Sequence, residues 1–141
     1  MPFQIMYSSQ ASAPMSVRDL EQILVDARAG NVLHNVTGAL VYVDGVFFQI
    51  LEGEAEVVRK LMASIAADSR HHSVKVFYEA EVAARAFASW RMAYLSPTAE
   101  QMSAWAGLPG ATTLDELLRD LDRDRQRAPQ ILLNMLKALA Q

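Results

Sequence analysis

The chain has 141 residues, 52% of them hydrophobic and 21% charged, and carries a formal net charge of −3. That size and apolar content fit one domain with its own core plus a short helical appendage, and the acid excess speaks against a nucleic-acid backbone as partner. The absence of cysteine excludes disulfides, thiolate metal sites and cysteine catalysis, and His34, His71 and His72 fall at no metal-ligand spacing.

Residues 3–8 read as a first strand with Phe3, Ile5 and Tyr7 on one face. Ser16, with Asp19 three residues on, is expected to cap a helix. Val17, Leu20, Ile23, Leu24 and Ala27 form its apolar stripe; Gly30 is expected to end it, and 31–35 to turn. Residues 37–43 are a second strand, and Asp44-Gly45 is a two-residue hairpin signal into a third, Val46 to Leu51. A second helix over 54–68 carries Val58, Leu61, Met62 and Ile65 inward. Residues 74–81 make a fourth strand, with Val74, Val76 and Tyr78 on one side. Residues 88–94 make a fifth, with Trp90 and Met92 sharing a face. The order β-α-β-β-α-β plus one strand is a ferredoxin-like α+β sandwich with both helices on one face of the sheet. After Pro97, helical patterns at 98–105, 113–122 and 130–140 divide the chain into a sensor-sized domain, 1–95, and a helical extension, 96–141. No apolar run approaches the roughly 18–20 residues of a membrane span. The amino terminus lacks a basic region followed by an apolar stretch. A soluble, cytoplasmic protein without a membrane partner is therefore expected.

Gln49 stands out. The strand around it is apolar on both faces, so a primary amide sits where packing needs none. Left unpaired, such an amide costs about 1–3 kcal/mol. Its partners are either a structural hydrogen-bond pair or a bound polar ligand, and the strand alone does not decide between them. Glu52 and Glu54, the nearby acids, fall on the expected turn after this strand and are expected to face solvent rather than to pair as acid and base.

Taken in order, Tyr7-Ser8, Arg28-Ala-Gly-Asn31, Thr37-Gly-Ala-Leu40, Phe47-Phe-Gln-Ile-Leu-Glu-Gly53, Asp68-Ser-Arg-His71 and Trp90-Arg-Met92 resemble the BLUF family, the blue-light sensors that use flavin. The resemblance runs from residue 2 to about 95. It implies a flavin between the two helices, FAD by the family's habit, with FMN or riboflavin as alternatives. By the same resemblance Tyr7 is the electron- and proton-donating tyrosine, and Gln49 the amide that bridges it to the flavin edge. Asn31 bonds the ring's carbonyl edge, and Trp90 and Met92 form the switching pair. Ile23, Phe47 and Leu51 pack the ring, Arg28 lies at the phosphate end, and Arg70 and His71 lie along the ring or chain. Each also has a plainer reading: rim tyrosine, helix-exit asparagine, core Trp and Met, solvated arginines. Gly30 and Ala27 depart from the family, where larger or hydroxyl-bearing residues occur, and loosen the pocket rather than remove chemistry.

Three functions remain on the sequence. A photoreceptor acting through a separate effector is the first; the 45 or so residues after the sensor are too few for a cyclase or phosphodiesterase domain. Family analogy suggests a cyclic-di-nucleotide enzyme or a transcription regulator as that partner, with a homo-oligomer expected. A flavin-free interaction module is the second. An acylphosphatase-like enzyme is the third, and it lacks the glycine and arginine that a phosphate-cradling loop would need at Ser8–Pro14.

Overall fold

The structure, a computed structural model, describes residues 1–96. Its elements are β1 (Phe3–Ala11), α1 (Val17–His34), β2 (Thr37–Val43), β3 (Val46–Gly53), α2 (Ala55–Ala66), β4 (His71–Glu81) and β5 (Ala93–Leu95). They build a sheet of order β4-β1-β3-β2-β5. Its β1, β2, β3 and β4 pair antiparallel, and β5 lies parallel to β2 at the edge. This is the expected ferredoxin-like sandwich. The helical patterns expected beyond Pro97 lie outside the described residues.

Phe3, Ile5 and Tyr7 of β1, Leu40 of β2 and Phe47 and Leu51 of β3 pack under Leu24 of α1 and Val58 and Met62 of α2. Burying each such side chain stabilises the fold by about 1.5–3 kcal/mol. On the opposite face Met6, Val41, Phe48 and Ile50 are also buried, so β3 is covered on both sides as its apolar run requires. At the hairpin Asp44 and Gly45 adopt φ of 47° and 80°, the left-handed pair of a type I′ turn.

The α1 N-terminus is capped as its sequence suggests: Asp19 N–H donates to Ser16 Oγ at 3.1 Å, and Ser16 N–H to the Asp19 carboxylate at 3.0 Å. Its C-terminus is not where expected. The helix continues through Gly30 and Asn31 and ends at Asn35, whose φ of 54° is left-handed. Gly30 weakens a helix by about 1 kcal/mol without stopping it. The stop comes where the Asn35 N–H and the Val36 N–H, the latter at 2.9 Å, both turn back to the Asn31 carbonyl. Asn31 is therefore a helical residue, 2% exposed, and not part of a turn.

The fifth strand is shorter than expected, three residues rather than seven, and neither Trp90 nor Met92 belongs to it. Backbone groups of Ala86, Phe87, Trp90, Arg91 and Met92 bond to side chains, to each other or singly to Gly38 instead of forming a continuous ladder. Ala86 and Phe87 N–H donate to Glu52, Trp90 N–H to the Phe87 carbonyl, and the Arg91 and Met92 carbonyls accept from Asn31 and Arg28. Gly38 N–H reaches the Trp90 carbonyl at 3.1 Å. At Gly38 any Cβ would strike the Ile50 backbone oxygen, so only glycine lets β2 lie this close.

Glu52 also differs from expectation. It belongs to β3 rather than to a turn, and it is fully buried.

Candidate functional site

Register places the two central groups. Tyr7 of β1 pairs with Gln49 of β3, and Gln49 pairs with Leu40 of β2. Residues opposite one another in a ladder share a face, so phenol and amide stand side by side under the helices. The Tyr7 hydroxyl donates to Gln49 Oε1. The other end of the amide, Nε2, meets Met92 Sδ at 3.5 Å, a weak acceptor. Tyr7 and Gln49 are 3% and 5% exposed. Burial pushes the phenol's pKa well above its ordinary value, and the negative charge of Asp68 adds to the shift. Tyr7 is accordingly a neutral donor at physiological pH.

Above this pair lies a cavity of about 220 Å³ between α1, α2 and the sheet. Its apolar walls are Ile23 and Ala27 of α1, Leu40 and Phe47 of the sheet, and Leu61 and Ile65 of α2. Polar groups enter at Tyr7, Asn31, Gln49, Asp68, Arg70 and His71. Asn31 donates through Nδ2 to the Arg91 carbonyl; its Oδ1 has no hydrogen-bond partner among the described residues.

His71 reaches the cavity through an irregularity in β4. Ser73 adopts φ of 56°, and the pairing with β1 slips between Ser8 and Gln10. The slip aligns His71 with Ala11, on the Tyr7 face of β1. The His71 ring stands edge-on to Tyr7, centroids 6.0 Å apart. Its Nε2 lies 2.5 Å from the Ile65 carbonyl and its Nδ1 2.7 Å from Ser9 Oγ. A carbonyl only accepts, so Nε2 carries the proton. At the cavity mouth Arg70, between α2 and β4, lies 2.6 Å from Asp68 of its own segment and 3.1 Å from Asp26 of α1. The Arg70 hydrogen bond is the main reason the Asp68 carboxyl is held below its usual range.

Of the eleven residues singled out in the sequence, Tyr7, Ile23, Asn31, Phe47, Gln49, Arg70 and His71 line one cavity. Met92 touches its floor through Gln49. The other three stand apart from the lining. Leu51 is fully buried in the core below. Arg28 turns to the Met92 carbonyl, Nε at 3.1 Å. Trp90 is half-buried, with its ring 6.4 Å from Phe87. Sequence reasoning overlooked Leu40 as a wall and Asp26 as the far anchor of Arg70. The register of β2 against Gln49 identifies the first. Nothing short of the tertiary structure identifies the second.

A family model described as sensors of blue-light using FAD matches residues 3–93. The chain belongs to the BLUF family. It is 32% identical over 133 residues to photoactivated adenylate cyclase subunit beta of Euglena longa, an alignment that covers 94% of this chain and 15% of that protein. The ground-state structure of BlsA superposes with a TM-score of 0.75 at 31% identity, over 90% of this chain and 87% of that one. The dark-state structure of BlrB, a BLUF protein, gives 0.74 at 26% identity, over 97% and 96%. The chain thus spans about 15% of the length of this curated relative. The family is described as sensors of blue light using FAD, so residues 3–93 form a flavin-binding sensor domain of that kind.

The residues present suit such a ring. A flat heteroaromatic needs apolar walls on its faces and a few polar atoms at its edge. Ile23, Phe47, Leu61 and Ile65 would supply the walls, and Asn31 Oδ1, without a partner among the described residues, and the weakly engaged Gln49 Nε2 would be the polar atoms for its edge.

Proposed function

We propose that the BLUF cleft holds FAD and that Tyr7, Gln49 and Met92 convert its excitation into a change at β5. The single observation that carries this reading is the placement of the Gln49 amide, oxygen on the Tyr7 hydroxyl and nitrogen on the Met92 sulfur. Ile23 and Phe47 would hold the ring, Asn31 its edge, and Arg70 and His71 the side toward the cavity mouth. Bound there, the flavin supplies blue-light absorption and a site that accepts an electron.

Tyr7 is the residue able to give up that electron, its proton passing to Gln49 Oε1 along the existing hydrogen bond. A primary amide is a donor at one end and an acceptor at the other. Turned end for end, Gln49 offers the cleft a different hydrogen bond and loses its contact with Met92, because its oxygen then faces a thioether that cannot donate; tautomerised, it gains an O–H and keeps a single N–H to place. One or two hydrogen bonds, about 1–3 kcal/mol, suffice to bias a two-state segment. Met92 directly precedes β5, so the change leaves the cleft through the edge strand. Beyond it we propose that the signal passes to a separate effector protein, a cyclic-di-nucleotide enzyme or a transcription regulator, through a homo-oligomer whose contacts shift in light.

The test is an absorption spectrum of the purified protein, dark and after blue light, beside Gln49→Ala, with the extracted flavin identified by chromatography. Flavin bands that move slightly red, relax in darkness and stay fixed in the variant are the expected result. A yellow protein with no light shift would reject the relay; a colourless one that takes up no added flavin would reject the cofactor.

A further inference from the structure

The far face of the sheet holds a buried acid that the photochemistry leaves unused. Glu52 of β3 pairs in register with Gln4 of β1 and Thr37 of β2. The row lies three residues along from Tyr7–Gln49–Leu40, and so on the opposite face. Glu52 Oε2 accepts from Gln4 Nε2 at 2.6 Å and from Ala86 N–H at 2.7 Å; Oε1 accepts from Thr37 Oγ1 at 3.1 Å and from Phe87 N–H at 2.8 Å. Gln4 is itself held, its Oε1 accepting from Tyr78 Oη at 3.3 Å. All four partners are donors, the set a carboxylate takes. Two come from strands and two are successive main-chain N–H groups of the segment leading to β5. Arg85 doubles the attachment, its guanidinium donating to Thr37 Oγ1 at 3.1 Å and to the Asn35 carbonyl at 2.9 Å.

One strand thus grips both ends of one segment. Gln49 touches it at Met92, where bonding depends on which way the amide points. Glu52 holds it at residues 86–87, where bonding does not. We infer that Glu52 is a positioning residue, the fixed anchor of the 86–92 segment, which turns a change at Gln49 into a displacement of Met92 and β5 rather than slack taken up along the loop. This rests on the Gln49 relay proposed above.

The test uses the full, flavin-loaded chain as wild type, Glu52→Gln and Gln4→Leu. The isosteric glutamine keeps one acceptor oxygen of two; the leucine removes a strand donor and leaves both loop bonds. Three signals are read: the light-induced red shift, the light-minus-dark difference in amide hydrogen exchange over 86–93, and the dark-recovery rate. E52Q is expected to keep the red shift, to lose the exchange difference, and to recover at a rate changed about threefold or more, the effect of one weakened hydrogen bond. Q4L should follow wild type in all three. An E52Q protein that keeps both the exchange difference and the recovery rate overturns the anchor. Should E52Q not fold, Glu52→Asp, which keeps the charge but draws the carboxylate back by one methylene from the Ala86 and Phe87 N–H groups, must shrink the exchange difference; an unchanged E52D overturns the anchor as well. A wild type with no red shift instead overturns the relay itself, so the two failures are distinguishable.

Discussion

At the scale of single residues, the proposed relay rests on one neutral phenol and one amide. Tyr7→Phe removes the donor to Gln49 Oε1 and leaves a buried acceptor without its partner. The variant is expected to bind flavin, to show no light-induced red shift, and to lose about 1–2 kcal/mol in a urea unfolding curve. The same phenol sets an alkaline limit. Its folded pKa is raised, chiefly by burial, so its contribution to stability is full below the unfolded value near 10 and declines as pH rises beyond it. Wild type should therefore lose stability more steeply above pH 10 than Tyr7→Phe, as read from denaturant midpoints across that range.

At the scale of elements, α1 contains a glycine it does not need for folding and an asparagine that it does. Nothing lies within 4 Å of a Cβ built at Gly30, and the residue sits inside the helix. Gly30→Ala should raise stability by about 0.5–1 kcal/mol, measured by thermal unfolding, while narrowing the cleft that Gly30 lines. Asn35 behaves in the opposite way. Its left-handed φ of 54° ends the helix and aims the chain into β2, so Asn35→Ala should cost about 1 kcal/mol by the same measurement and Asn35→Gly nearly nothing. The β4 irregularity at Ser73 belongs with these devices, since the pairing slip there, after an earlier one between Met6 and Tyr7, aligns His71 with Ala11 on the Tyr7 face.

At the scale of the whole molecule, α1 is tied across the cleft mouth to the segment between α2 and β4 by Asp26–Arg70–Asp68. The side chains are about a third to a half exposed, 31% to 49%, so solvent and salt screen the pair and its worth to stability is under about 1 kcal/mol. Its expected effect is on ligand exchange, since it closes the cavity mouth. Asp26→Asn should speed flavin release, with a salt dependence smaller than that of wild type, as followed by flavin fluorescence on dilution. Asp68 carries the acid side of the same strap. Because its folded pKa is lowered, the contribution is present above the unfolded value and lost as pH falls through the folded one. Flavin retention should therefore weaken below about pH 4.

Features that depend on local pattern are legible in the chain before it folds. Alternation and helical stripes place the strands and helices, Asp44-Gly45 sets the hairpin, and Ser16 with Asp19 sets the first cap. An amide inside an apolar strand marks Gln49, and the ordered motifs mark the family. The same logic misplaced Gly30, the fifth strand and Glu52, because in each case a distant partner outweighs local preference. The helix runs past Gly30 to the left-handed turn at Asn35. Residues 88–92 leave the ladder because Gly38, Asn31 and Arg28 meet the Trp90, Arg91 and Met92 carbonyls, while Glu52 holds Ala86 and Phe87 just before them. Glu52 is inside because four donors converge on it from β1, β2 and the loop. Hydrogen bonds between residues dozens of positions apart leave no periodicity in the chain, so only the tertiary structure could decide which face Glu52 serves and what holds Met92 beside Gln49.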